Sequence, residues 1–194
     1  YEPWRMQRDA RIKKQLTDQG VHVQSDNASL LWEPWCIKKD DGTPFKVFTP
    51  FYRKGCLKHS QPRSPLPAPD TRAFVARRRG LASLNDLDLL PSQSWGKSVM
   101  QSWRVGEQGA MHALDRFIEK GLKHYKDGRN LPAKPYVSRL SPYLRMGLIS
   151  PHQIWHAILA CAPPDRNTDH FCSELGWREF SYYLLYHHPV SYTH

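Results

Sequence analysis

A carboxylate, an indole, a guanidinium and a hydroxyl stand at Glu174, Trp177, Arg178 and Ser181, spaced i, i+3, i+4 and i+7. That spacing puts all four on one face of a helix. Such a face can stack a flat ligand on its ring and hydrogen-bond the ligand's edge. The same residues also describe an ordinary Glu174–Arg178 helix pair beside a partly buried tryptophan. A second set lies upstream in Ser138-Arg139-Leu140-Ser141-Pro142-Tyr143-Leu144. Ser-Pro marks a helix start, and Ser150-Pro151 with Gln153 repeats the device as a capping box. A helix start presents unpaired N–H donors and partial positive charge, so it can seat a phosphate, and two hydroxyls and an arginine add donors. The serines can equally be plain caps of two consecutive helices. No Ser-His-Asp or Cys-His arrangement suggests an amino-acid nucleophile.

These residues need helices to position them, and the hydrophobic period supplies them. Arg5 to Gly20 reads as a helix with Met6, Ala10, Ile12 and Leu16 as its apolar positions and Gly20 as its stop. Val21-His22-Val23 and Ser29 to Trp32 read as short strands. Phe48 to Leu57 reads as a helix opening near Thr49-Pro50. Ser60 to Asp70 carries four prolines and no apolar period, so it is an extended linker. Arg77-Arg78-Arg79 reads as a solvated basic run rather than a DNA contact, and 81–94 as irregular. Helices follow from Gln108 to about Leu122, from Pro142 to Met146 with Gly147 as the stop, and from Pro151 to about Ala162. The last starts near Asn167 or Thr168 and runs to about His187. Lys123 to Val137 reads as a polar loop.

The 194 residues suffice for one good core or two partial ones. A formal charge of +10 favours a polyanionic partner, nucleic acid first among them. The four cysteines, Cys36, Cys56, Cys161 and Cys172, show no C-x-x-C spacing, and His187-His188 has no ligand partner at metal spacing, so no metal site is expected. Reduced thiols, no run of 18 apolar residues and no signal peptide point to a cytoplasmic, membrane-free protein, expected as a monomer.

Several stretches, in order, resemble the DNA photolyase and cryptochrome family. Ser138 to Pro151 and Glu174-Leu175-Gly176-Trp177-Arg178-Glu179-Phe180 resemble its flavin-binding helical domain. Trp103-Arg104-Val105-Gly106-Glu107-Gln108-Gly109-Ala110 resembles the motif that opens this domain, and Phe45 to Arg53 resembles the stretch that closes the antenna domain. The resemblance implies a mainly α chain. Residues 1–59 would be the remnant of a doubly wound α/β antenna domain, 60–102 an interdomain linker and 103–194 the first part of the all-helical flavin domain. On that reading the chain is an internal fragment of a photolyase, unable by itself to hold flavin firmly or to repair DNA.

The resemblance also assigns residues. FAD would be held by Tyr125, by Ser138 and Ser141 with the backbone of Val137, Arg139 and Leu140, by Phe171, and by Arg178 at the boundary between flavin and substrate. Val137 replaces a common threonine and Phe171 a common tryptophan. Glu174 and Trp177 would meet a flipped-out pyrimidine dimer, and Arg129 would contact DNA on the rim. The implied activity is light-driven splitting of cyclobutane dimers in damaged DNA by an electron from reduced flavin. The alternative is a cryptochrome photoreceptor without repair. An antenna pigment of folate or deazaflavin type is implied but unassigned, since Trp4 and Arg5 stand where folate-binding members can carry Asn and Glu.

Overall fold

A computed structural model describes residues 1–70, 72, 83, 85–89, 93–161 and 163–189. The Arg77-Arg78-Arg79 run and residues 81, 82, 84 and 90–92 lie outside the described residues.

The chain is mainly helical, and the described residues form no strand. Helix α1 spans Pro3–Asp18 and ends at Gly20, whose φ of +79° only glycine adopts freely. Gly20 N–H reaches the Thr17 carbonyl and Val21 N–H the Leu16 carbonyl, the double closure of a Schellman end. Met6, Ile12 and Leu16, the apolar positions of α1, are exposed. The strands expected at 21–23 and 29–32 do not form. With no neighbouring strand to pair with, their backbone groups find other partners. The Asn27 side chain bonds the N–H and carbonyl of Leu30, and a carboxylate further on takes the N–H groups of Leu31 and Trp32.

One helical run follows: α2 (Phe48–Pro50), a π-helical stretch Phe51–Cys56, then α3 (Leu57–His59). Beyond the proline-rich stretch 60–70, α4 (Ser94–Gln101) is a helix within the 60–102 segment expected as interdomain linker. Helix α5 (Glu107–Arg116) continues through a π stretch, Phe117–Gly121, and a 3₁₀ turn, Leu122–His124, into α6 (Tyr125–Gly128). The loop expected from Lys123 therefore starts later. Leu122 and Tyr125 are both buried, three residues apart, and hold the chain in one more helical turn.

Helix α7 (Ser141–Arg145) ends at Gly147 with φ +70°, and α8 (Pro151–Cys161) carries the expected capping box. There Gln153 N–H donates to Ser150 Oγ at 3.1 Å, and Ser150 N–H to Gln153 Oε1 at 2.8 Å. Helix α9 (Arg166–His187) starts earlier than expected, because Asp165 is the cap. Its carboxylate accepts from Thr168 N–H at 2.7 Å, and Thr168 Oγ1 accepts from Asp165 N–H at 2.7 Å.

A single apolar core joins Leu31 to Cys56 with α5, α8 and α9. Along α9, Glu179, Tyr183 and His187 fall at i, i+4 and i+8, and each reaches the coil at 31–45. Glu179 Oε2 accepts from Leu31 N–H at 2.8 Å and Trp32 N–H at 3.2 Å. The Tyr183 hydroxyl accepts from Phe45 N–H at 2.9 Å and donates to the Ile37 carbonyl at 3.0 Å. His187 Nε2 lies 3.1 Å from the Pro34 carbonyl. Trp32 meets Trp155 of α8 edge to face at 5.6 Å. Cys56 and Cys172 are buried, with thiols pushed up by burial, whereas Cys36 and Cys161 are exposed.

Candidate functional site

The Glu-Trp-Arg face of α9 is real as a helix face, but its members have different neighbours. Glu174 pairs with Arg129, at the end of α6, instead of with Arg178. His170 Nε2 lies 3.2 Å from Arg129 Nη1 and 3.8 Å from Glu174 Oε1. The guanidinium carbon of Arg129 also sits 5.5 Å above the ring of Tyr125. The hydrogen bond to Glu174 pushes the Arg129 guanidinium up, so it stays charged. Both side chains keep about 30% of their surface in solvent, 29% and 30% respectively, so the pair is accessible to a ligand and weak as a stabiliser.

Trp177 is 46% exposed. Its indole stacks on Phe48 of α2, with centroids 3.8 Å apart and planes 12° apart, while Phe180 meets it edge-on at 5.9 Å. One face of the ring is thus covered. Ser181 Oγ turns back to the Trp177 carbonyl at 2.9 Å.

Arg178 points towards the coil. Its Nη1 donates to the Ser29 carbonyl at 2.7 Å and to Glu179 Oε1 at 3.1 Å, and its guanidinium lies 5.1 Å over the Tyr182 ring. It also lines a 290 Å³ cavity with Glu107, Gln153 and Ser150. Glu179 itself is 2% exposed. Burial pushes its carboxyl up to about 7, against the downward pull of Arg178 and the two backbone N–H groups. Sequence reasoning gave Glu179 no role, although it shares the helix face of Cys172, Leu175, Gly176 and Tyr183, all buried. A carboxylate on an apolar face is the signal that would have found it.

The flavin implied above would need donors for its phosphates and an open slot for its rings. The 137–141 segment has the donors: Val137, Arg139 and Ser141 are exposed and no side chain caps α7. The Ser141 cap suggested by Ser-Pro is therefore not made, and Ser138 Oγ accepts only a long bond, 3.4 Å, from Leu140 N–H. Arg139 adopts a left-handed φ of +55° and lies 4.5 Å over the Trp103 ring. Leu140 is buried. Tyr125 and Phe171 are buried edge to face at 5.1 Å, both against Phe117, so this ring cluster is filled by packing. The donor segment fits a phosphate; the ring slot is closed in this arrangement.

A 630 Å³ cleft lies between the α2–α3 run and the first half of α9. Arg53, Lys126, Arg166 and His170 line it together with one acid, Asp169, and Phe48 and Tyr52 form an aromatic wall. Cationic groups beside rings suit an anionic, ring-bearing ligand. Among the described residues no His, Cys, Asp and Glu cluster could hold a metal, and no helix is long and apolar enough to cross a membrane.

A protein-family model described as DNA photolyase matches residues 1–70. The chain is 38% identical over 193 residues to the deoxyribodipyrimidine photo-lyase of Agrobacterium fabrum, covering 97% of this chain and 40% of that protein. It is 29% identical to cryptochrome-1 of Arabidopsis thaliana over 99% of this chain and 30% of that protein. The crystal structure of a class III photolyase from Agrobacterium tumefaciens superposes with a TM-score of 0.86 at 38% identity, covering 97% of this chain and 40% of the other. The chain thus spans about 40% or less of the length of these relatives. Agreement of sequence and fold over nearly every residue of this chain means that it belongs to the DNA photolyase and cryptochrome family.

Proposed function

We propose that this chain is part of a cytoplasmic, monomeric flavoprotein that performs light-driven DNA repair, the splitting of cyclobutane pyrimidine dimers, and that these residues alone do not carry out the repair. The observation that carries the reading is the half-exposed, one-sided Trp177 ring beside the Arg129–Glu174 pair. Trp177 covers the flat side of a flipped-out dimer. Glu174, an acceptor while it pairs with Arg129, takes a hydrogen bond from the dimer's N–H edge. Arg129 exchanges part of its contact with Glu174 for a DNA phosphate, fixing position without reading sequence.

Ser138 and Ser141 with the backbone of Val137, Arg139 and Leu140 would hold the phosphates of FAD, with Arg178 at the boundary between flavin and substrate, and its rings would need Tyr125 and Phe171 to part from the closed packing with Phe117. When bound, FAD supplies the photoexcited electron and takes it back. The division into residues 1–59, 60–102 and 103–194 belongs to the same proposal, as does an antenna pigment of folate or deazaflavin type.

Similarity to the Arabidopsis cryptochrome supports a second reading, a flavin photoreceptor without repair. The presence of both Glu174 and Trp177 favours repair. The deciding experiment is illumination of the full-length protein with a dimer-containing oligonucleotide. Flavin absorption with loss of dimers is expected; flavin absorption without repair would leave the photoreceptor.

A further inference from the structure

Trp177 owes its orientation to residues far away in sequence. Gly176, beside it, leaves room for the ring of Tyr52: a Cβ at position 176 would sit 2.5 Å from Tyr52 Cδ2. Tyr52 stacks on Phe48 at 5.5 Å with planes 10° apart, and Phe48 stacks on Trp177 at 3.8 Å and 12°. The three rings form one parallel pile that starts and ends on neighbouring residues of α9. Phe180 braces it, edge-on to both Phe48 and Trp177 at 5.9 Å. Tyr52 is buried, so the base of the pile is fixed in the core, while its top, the outward face of Trp177, is open.

We infer that Phe48 is a positioning residue for damage recognition: it closes the inner face of Trp177 and leaves one oriented face for one flat ligand. This rests on the proposed reading, in which Trp177 meets the dimer. An indole without this backing samples several rotamers and loses them on binding, which weakens the complex with a stacked ligand. Arg53, Lys126 and Arg166 line the same cleft as Phe48 and Tyr52 but act through charge, which attracts damaged and undamaged DNA alike and which substitution of Phe48 leaves in place.

The test compares Phe48→Ala, Phe48→Leu, Phe48→Tyr and Trp177→Ala in the full-length, flavin-loaded protein, in the dark. Affinity is measured for dimer-containing and for undamaged oligonucleotides. Phe48→Leu keeps an apolar group without a ring and Phe48→Tyr keeps the ring, so together they separate filling from stacking. The expected result is a roughly tenfold fall in preference for the dimer with Ala and Leu and retention with Tyr, affinity for undamaged DNA falling by less than affinity for the dimer. Unchanged preference in Phe48→Ala and Phe48→Leu, with a fall in Trp177→Ala, would overturn the role of Phe48 alone. Unchanged preference in Trp177→Ala would overturn the underlying reading as well. Equal loss of both affinities in the Phe48 variants would show a general loss of fold and also overturn the inference.

Discussion

Glu179 and Leu31 are 148 positions apart in the chain, yet the Leu31 N–H donates to the Glu179 carboxylate at 2.8 Å. This contact fastens an irregular segment to the longest helix. Removing the acceptor strands two buried N–H groups, each costing about 1–3 kcal/mol. Glu179→Ala is expected to lower stability by about 2–4 kcal/mol. Glu179→Gln, which keeps an acceptor oxygen, loses less. Urea unfolding of both variants checks the order; equal midpoints for Ala and wild type would refute it.

The same carboxyl sets a pH dependence. Its folded value, about 7, lies above the ordinary 4.5. The native state therefore holds the proton more tightly than the unfolded chain. Its contribution is fully present below about pH 4.5 and is lost as pH rises through about 7. His152 has the opposite sign. It is buried, its Nδ1 lacks a hydrogen-bond partner, and burial pushes its imidazolium down to about 4. Its contribution is present above about 6.5 and lost as pH falls through about 4. Thermal melts from pH 4 to 8 should show the stability gap between wild type and Glu179→Gln narrowing as pH rises. A gap that widens would refute the assignment.

Trp177→Ala is expected to reduce preference for dimer-containing over undamaged DNA by about 1–3 kcal/mol, roughly fivefold to 150-fold, while Arg129→Ala weakens both to a similar extent. Competition binding at fixed salt separates the two patterns. A variant of Trp177 that binds damaged DNA as wild type does would remove the indole from the recognition face.

Asp165→Ala removes the reciprocal cap with Thr168 and leaves first-turn donors of α9 without their side-chain acceptor. A loss of about 1 kcal/mol is expected. Since α9 carries the core stripe, circular dichroism melts should shift as one transition rather than fray locally. An unchanged midpoint would show that the cap is dispensable.

Helices were legible in the sequence where an apolar period and a stop coincided. Gly20, Gly147 and the Ser150–Gln153 box all terminate or start elements as read. The strands at 21–23 and 29–32 were misread because apolar runs say nothing about whether a pairing strand exists. The extension of α5 into α6 was missed because Lys123, His124 and Lys126 hide the buried Leu122 and Tyr125. At the site, the identities of Glu174, Trp177 and Arg178 were readable, but their partners were not. Local spacing suggested Glu174–Arg178, whereas tertiary packing gives Glu174 to Arg129 and Arg178 to Ser29 and Glu179. The covering of Trp177 by Phe48 joins residues 129 positions apart by number, and no periodicity encodes such a contact.

The Tyr183 hydroxyl, which holds Phe45 N–H and the Ile37 carbonyl at once, has a kinetic consequence. Amide protons in coil ordinarily trade with solvent quickly, because opening them disturbs little else. Freeing the Phe45 amide requires withdrawing a ring that is 1% exposed from the core of α9. The amides of Leu31, Trp32 and Phe45 should therefore exchange for deuterium on the schedule of the α9 interior, and those of 22–26 within the dead time of the experiment. The coil would then behave as part of the cooperative unit, tied to it by side chains in place of a β ladder.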